Sequence, residues 1–238
     1  MTNAASQFIV MTAGAFTAAH FALAPRLAQL VRCDIVTATT SVGLGETSIE
    51  NRLRRGERVE LVIASSAMLD AFENQGLIHA GSSTPLARST IGLAVRSGAP
   101  APDISSAEAF RQTLLAARSV AYSASVSGKY LTEELYQRLG IEREMLPKSV
   151  FAGGGVRSGA VCARGDAELA VQQMSELLPV DGIDHITALP EALQRRTVVA
   201  GGIGCSAVNE ARARRALDFL SSAEARTEIE ANGLMSVT

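Results

Sequence analysis

Short runs of apolar residues alternate along the chain with longer segments in which apolar residues recur every three or four positions. The short runs have the length and β-branched content of strands, and the longer segments have the period of amphipathic helices. Strands are predicted at Phe8–Met11, Asp34–Thr37, Val59–Ala64, Ser83–Arg96, Ser119–Tyr122, Val150–Phe151, Glu168–Val171, near Ile186 and at Thr197–Cys205. Helices are predicted at Phe16–Val31, Glu46–Arg55, Ala67–Gln75, Ala107–Ala117 and Lys129–Leu139, before Arg164, around Gln173–Leu178 and from Asn209 to Asn232. This alternation predicts an α/β fold with mostly parallel strands.

Two of the extended runs, 83–96 and 197–205, are longer than the others. We interpret them as two crossings between lobes, so that lobe I holds residues 1–84 and 198–238 and lobe II, residues 85–197, is inserted into it. A chain of 238 residues is long enough for two lobes that each bury a core. The sequence therefore predicts a two-lobed protein with a cleft between its lobes.

The composition excludes several classes of protein. Apolar residues make up 47%, charged residues 19%, and the net charge is −2, which is not the composition of a disordered chain. No positive excess exists to neutralise phosphates, so we expect no nucleic-acid partner. The sequence contains no run of about 18 apolar residues, so no membrane-spanning helix is predicted. The first residues contain no basic and apolar signal regions, which favours a cytoplasmic protein, or a periplasmic one if a signal peptide is missing from the sequence.

The cysteines and histidines do not form a recognisable site. Cys33, Cys162 and Cys205 are far apart and lack the spacing of metal ligands, so we expect neither a metal nor a cofactor. The three histidines are isolated in the sequence. His20 follows the first predicted strand closely enough to be an alternative proton carrier.

Four loops place hydroxyl groups or glycines directly before a predicted helix: Thr12–Ala15, Thr39–Gly45, Ser123–Gly128 and Gly153–Gly155. Helix N-termini offer free N–H donors to anions, although a single such loop can equally be a helix cap. Because strand-to-helix turns of open α/β sheets face one crevice, the four loops together predict an anion site. None of them completes a phosphate loop or a dinucleotide-binding motif.

Arginine accounts for 20 of the 22 basic residues. Its planar guanidinium group suits carboxylates, although most of these arginines lie in predicted helices with acidic neighbours. Arg88 differs, because it interrupts an apolar extended run where the chain crosses between lobes. A charge in that place needs a partner, which is either a ligand carboxylate or an inter-lobe salt bridge.

Four segments carry a family resemblance through their order along the chain: Val10–Phe16, Arg55–Val62, Asn74–Leu77 and Ala216–Ala225. Over nearly its whole length the chain resembles the type 2 periplasmic binding protein fold, and within it the molybdate-binding branch. The resemblance implies two α/β lobes that close on a small anion. It also implies that the contacts come from serine and threonine hydroxyls and from helix N-terminal amides.

The sequence departs from the molybdate-binding pattern at two positions. Ala15 stands where that branch usually has serine, and Gln172 or Gln173 stands where it has tyrosine, which argues against molybdate. Three segments instead resemble a subgroup similar to the aconitate isomerases, which move a double bond within a tricarboxylate. These segments are Leu86–Ser89, Gln172–Leu177 and Gly182–Asp184.

The loops and the resemblance together predict the site. We expect the ligand to contact Gly14, Ala15, Ser41, Arg88, Ser125, Ser127, Gly128, Lys129, Tyr130, Gln172 and Gln173. Glu176 is the first choice for a catalytic base, with Tyr130, Lys129 and His20 as alternatives. Two simpler interpretations stay open. Ser125 and Ser127 can serve only to cap a helix, and Glu176 can be an ordinary acidic residue in a first helical turn.

Two functional hypotheses follow, both with a small carboxylate or oxyanion as the partner. In the first, the protein is a cytosolic isomerase that catalyses a 1,3-proton shift, as the aconitate isomerases do. In the second, it is a non-catalytic solute-binding protein or sensor for molybdate-type anions, similar to those of ABC transporters.

Overall fold

The structure is a computed structural model that describes residues 7–38, 40 and 45–237. The chain divides into two compact units. Unit 1 contains the chain up to Ser89 and the chain from Thr197 onward, and unit 2 is Thr90–Arg196. The first crossing therefore lies between Ser89 and Thr90, later in the chain than the boundary after residue 84 that the sequence predicts.

Unit 1 is built on a mixed sheet with the spatial order β11-β4-β10-β3-β1-β2. Its strands, within the described residues, are β1 (Gln7–Thr12), β2 (Asp34–Ala38), β3 (Leu61–Ser65), β4 (Thr84–Ser89), β10 (Thr197–Ile203) and β11 (Leu234–Ser236). Strand β1 pairs parallel with β2 and β3, as βαβ connections require. The returning strand β10 pairs antiparallel with both β3 and β4, and it thereby joins the two parts of the chain that form the unit.

Helices cover the sheet of unit 1: α1 (Gly14–Val31), α2 (Ile49–Arg54), α3 (Ser66–Asn74), α10 (Glu210–Leu220) and α11 (Arg226–Ala231), with a 3₁₀ turn at Ala223–Ala225. In α1 one apolar stripe with helical spacing is buried, and it includes Phe16, Leu23 and Leu27. This stripe packs in one cluster with residues of β1, β3 and α10. Burial of that stripe explains why the helix forms despite Pro25.

A buried carboxylate joins the neighbouring strands β1 and β3 of unit 1. Glu60, directly before β3, accepts a hydrogen bond from the backbone N–H of Ile9 at 2.6 Å. Its other oxygen accepts from the guanidinium of Arg58 at 2.7 and 2.9 Å. The Glu60 side chain is only 4% exposed, so its charge depends on these donors.

Unit 2 has a second mixed sheet with the order β7-β6-β8-β5-β9. Its strands, within the described residues, are β5 (Ile91–Arg96), β6 (Val120–Ser123), β7 (Ser149–Ala152), β8 (Leu169–Gln173) and β9 (Ile183–Ala188). Strand β6 pairs parallel with β7 and β8. Strand β5 pairs antiparallel with β8 and β9.

The helices of unit 2 are short except for α4. They are α4 (Ala107–Ala116), α5 (Val126–Lys129), α6 (Tyr136–Arg138), α7 (Glu142–Met145), α8 (Ser158–Ala163) and α9 (Met174–Leu177), with a π-helical turn at Tyr130–Leu135 and 3₁₀ turns at Leu146–Lys148 and Glu191–Leu193. Unit 2 has its own main apolar cluster, which includes Phe110, Tyr130 and Tyr136.

The α/β fold class is confirmed, but the expectation of mostly parallel strands is wrong. Strands β4, β5, β10 and β11 pair antiparallel, because the chain leaves and re-enters each sheet at the crossings. The extended run 83–96 is two strands interrupted at Thr90. In the described part of the chain, no helix combines the length and the apolar character needed to span a membrane.

Replacing the buried carboxylate, Glu60→Ala, should destabilise the protein by roughly 2–4 kcal/mol. The substitution leaves the N–H of Ile9 without its acceptor and removes the carboxylate that pairs with Arg58, which also donates to the carbonyl of Gln7. Urea-induced unfolding measures this loss.

Glu50→Ala is the matched control. It removes the exposed ion pair of Glu50 with Arg54 and should cost less than about 1 kcal/mol. Equal losses for the two variants would contradict a structural role of the Glu60 carboxylate.

Candidate functional site

The parallel strands of unit 2 bring three loops to one edge of the sheet. Strands β7, β6 and β8 end at Ala152, Ser123 and Gln173. Because parallel strands end at the same edge, the turns that follow these residues are neighbours, and such edges are the usual ligand sites of α/β sheets. We call the turn from Ser123 to Gly128 the serine turn.

The serine turn contains a continuous chain of hydroxyl groups. The Oγ of Ser125 lies 2.9 Å from that of Ser123 and 2.9 Å from that of Ser127. Ser123 and Ser127 are buried, and Ser125 is half-buried. Although Ser125 occupies the N-cap position of α5, its side chain makes no capping hydrogen bond. The hydroxyl of Ser125 is thus bonded to other hydroxyls rather than to the helix.

Gly128 is required by the close packing of the serine turn. A Cβ at this position would overlap the backbone carbonyl oxygen of Ser123, which no rotation of a side chain can relieve. Lys129, the next residue, is exposed. Glycine at 128 therefore permits the turn to fold back on the end of β6.

Tyr130 is buried and bonded within unit 2. Its phenol donates to the carbonyl of Leu193 at 2.8 Å and accepts from Arg138 at 2.8 Å. The guanidinium of Arg195 lies 4.3 Å from the centre of its ring and also pairs with Glu134. Through these contacts the phenol of Tyr130 anchors the start of the π-helical turn.

Gln172 links the end of β8 to the start of α8. Its Oε1 accepts hydrogen bonds from the backbone N–H of Ser158 at 2.8 Å and from the hydroxyl of Ser158 at 2.9 Å. Gln172 and Gln173 are both buried. Such buried amides hold a fixed orientation, because every polar atom that leaves water needs a partner.

Glu176 lies on α9 and is only 6% exposed. Burial raises the pKa of its carboxyl to about 7, against the lowering effects of the positive charge of Arg157 and a hydrogen bond with Gln172. Next to it, the buried hydroxyl of Ser175 has no hydrogen-bond partner among the described residues. A carboxyl with a pKa close to neutral can both release and accept a proton under ordinary conditions.

Arg157 was not among the predicted site residues. It is half-buried directly before α8, and its charge acts on Glu176. The sequence offered one signal for it, the glycine loop Gly153–Gly155 ahead of a predicted helix. Arg157 and Glu176 come together only in the folded chain, so their interaction could not be predicted from the sequence pattern.

Gly14 and Ala15, which the sequence places in lobe I, and Arg88, which it places in lobe II, all belong to unit 1, whereas the serine turn belongs to unit 2. Gly14 and Ala15 are the first residues of α1, which has no acidic residue in its first turn. Arg88 is exposed on β4, opposite Val198 and Met235. Ser41 lies outside the described residues. Contacts of these residues with a ligand stay predictions.

The alternative proton carrier, His20, is buried in unit 1. Its Nε2 lies 2.8 Å from the hydroxyl of Thr37, and its Nδ1 has no partner among the described residues. Burial lowers the pKa of His20 to about 4, so its imidazole is neutral at neutral pH. Within the described residues, no three His, Cys, Asp or Glu side chains are grouped as metal ligands.

Comparisons with known proteins agree with this architecture. The profile of a family described as bacterial extracellular solute-binding protein matches residues 8–235. An aconitate isomerase from Pseudomonas sp. is 39% identical over 207 residues, which cover 87% of this chain and 78% of that protein.

Solved structures of two-lobed binding proteins share the fold. The periplasmic molybdate-binding protein of Azotobacter vinelandii superposes with a TM-score of 0.77 at 17% identity, covering 97% of this chain and 100% of that one. The tungstate ABC transporter protein of Geobacter sulfurreducens gives 0.71 at 15% identity, covering 96% and 100%.

Glu176→Gln should change how stability depends on pH. A carboxyl whose pKa rises on folding, here from 4.5 to about 7, binds its proton more tightly in the folded state. Its contribution to stability is therefore present at low pH and is lost as the pH rises through this window. Relative to the glutamine variant, the wild type should lose roughly 3 kcal/mol between pH 4.5 and pH 7. Urea unfolding at a series of pH values measures the difference, and parallel curves would contradict it.

Gly128→Ala should destabilise the protein by roughly 3 kcal/mol, because the serine turn has to open to admit a Cβ. Gly153→Ala is the control, since a Cβ there would lie 3.4 Å from the Phe151 ring, an ordinary contact. Thermal unfolding compares the two. Similar melting temperatures would show that the turn is not tightly packed.

Proposed function

Because the chain belongs to the bacterial extracellular solute-binding protein family, we propose that it binds a small polycarboxylate and isomerises it, as an aconitate isomerase does. One observation carries the catalytic part of the proposal. Glu176 is a buried carboxyl with a pKa of about 7, at the sheet edge where ligands of α/β proteins bind. The aconitate isomerase that is 39% identical supports the choice of reaction.

The proposed reaction is a 1,3-proton shift. A base removes a proton from a carbon next to a carboxylate, and the electron pair of the C–H bond delocalises into a dienolate. The proton then returns to a different carbon, and the double bond moves. No electrons are gained or lost overall, so the reaction needs no oxidant or reductant.

In this proposal Glu176 takes up and returns the proton. Its pKa suits that role, because a general base works best when its pKa lies near the working pH. The hydroxyls of the serine turn and the cation of Arg157 supply donors and positive charge for the carboxylates and for the dienolate. Preorganised donors of this kind stabilise charge that develops during the reaction.

A second candidate function is a receptor that binds an oxyanion without chemistry. The molybdate- and tungstate-binding proteins that share the fold favour it, and so does the chain of hydroxyls in the serine turn. Hydroxyl and amide donors can hold an oxyanion without any titrating group. The buried carboxyl of Glu176 has no evident use in such a receptor.

Proton exchange distinguishes the two functions. In D2O the wild-type protein should incorporate deuterium into trans-aconitate and form cis-aconitate, both followed by NMR. Glu176→Gln should slow both processes by about 100-fold or more, because a positioned base contributes at least that much.

Glu144→Gln is the control, since Glu144 is exposed on α7 of the same unit. It should leave both rates unchanged. If the wild type shows neither exchange nor isomerisation, and molybdate or tungstate raises its melting temperature, the isomerase proposal is refuted and the receptor proposal is supported.

A further inference from the structure

Arg157 differs from the other half-buried arginines of unit 2. Arg111 donates to the carbonyl of Leu139 and to Glu108, and Arg195 pairs with Glu134. The guanidinium group of Arg157, in contrast, forms no hydrogen bond or ion pair with any residue that the structure describes. A half-buried guanidinium without a partner is costly, because burial removes water that would otherwise solvate its five N–H donors.

The position of Arg157 is fixed by its neighbour. Ser158 is held by Gln172 through its backbone N–H and its hydroxyl, and Gln172 is also hydrogen-bonded to Glu176. These bonds fix the backbone beside Arg157 in the cluster that contains the buried carboxyl. Glu176 itself forms no ion pair with Arg157 among the described residues, which leaves the guanidinium available to an anion from outside the chain.

Two exposed apolar side chains belong to the segment that leads to Arg157. Val156, directly before Arg157, is exposed, and so is Phe151 at the end of β7. The N–H of Val156 donates a hydrogen bond to the carbonyl of Gly153 and closes the turn between Phe151 and Val156. The Cα of Gly153 faces the Phe151 ring. Exposed apolar groups beside a cation suit a carboxylate carried on a carbon chain better than a fully hydrated tetrahedral oxyanion.

We propose that Arg157 binds one carboxylate of a ligand that carries two or more carboxylates on a short carbon chain. This inference rests on the proposed function and gives it a specificity-determining residue. The planar guanidinium can hold both oxygens of a carboxylate at once, a geometry that lysine cannot reproduce. Because the charge of Arg157 acts on Glu176, and its neighbour Ser158 is hydrogen-bonded to the same Gln172 as Glu176, the bound carboxylate comes close to the buried carboxyl.

Propane-1,2,3-tricarboxylate separates binding from chemistry, because it is saturated and has no double bond to move. Isothermal titration calorimetry should show that Arg157→Gln binds it about 10- to 100-fold more weakly than the wild type does. Arg157→Lys should fall between the two. Arg143→Gln, which neutralises an exposed arginine on α7, should bind as the wild type does.

Two truncated ligands test direct contact. Glutarate lacks the central carboxylate of the tricarboxylate, and methylsuccinate lacks a terminal one. If Arg157 holds a particular carboxylate, Arg157→Gln should lose little affinity for the truncated ligand that lacks that group, and much for the other. Circular dichroism and thermal unfolding without ligand should show that the variant is folded.

The inference is overturned if Arg157→Gln keeps wild-type affinity for the tricarboxylate, or if it loses the same factor for all three ligands. In both cases the proposed function still stands, provided that the wild type binds the polycarboxylates. A wild type that binds molybdate but none of the three carboxylates would instead refute the proposed function, and the role of Arg157 with it.

Discussion

The Oε1 atom of Gln172 accepts two hydrogen bonds from Ser158, and the organisation of the candidate site depends on this acceptor. Strand β8 runs in the middle of its sheet, and its pairing with β5, where Gln172 lies opposite Gly92, holds Gln172 rigidly in place. Through Ser158 that rigidity passes to the start of α8, and through the hydrogen bond to Glu176 it passes to α9. Two short helices, which would be unstable alone, are thereby held at the sheet edge.

Much of the fold could be predicted from hydrophobic periodicity, and the exceptions have physical causes. The apolar stripe of α1 and the runs of β1 and β3 are local patterns, and they identify their elements well. Strand direction is not local, because a buried run is apolar whichever way its neighbours point. That is why the antiparallel pairing of β10 was missed. Strand β11 is three residues long, too short for alternation to be visible.

The candidate site was predictable where it depends on loop chemistry and unpredictable where it depends on burial. Ser125, Ser127 and Gly128 stand out in the sequence because hydroxyls and glycine precede a helix. The phenol of Tyr130 is bonded to Leu193, far away in the chain, so its structural use could not be foreseen. The half-buried state of Arg157 is likewise a result of tertiary packing.

The scarcity of lysine has a practical consequence at the serine turn. The whole sequence contains two lysines, Lys129 and Lys148. The amine of Lys148 donates to the carbonyl of Leu115 at 2.7 Å, whereas Lys129 is exposed beside the serine turn. Of the two side-chain amines, that of Lys129 is therefore the more accessible to acylating reagents. A fluorophore attached there would stand next to the proposed ligand and could report on site occupancy without any engineered cysteine.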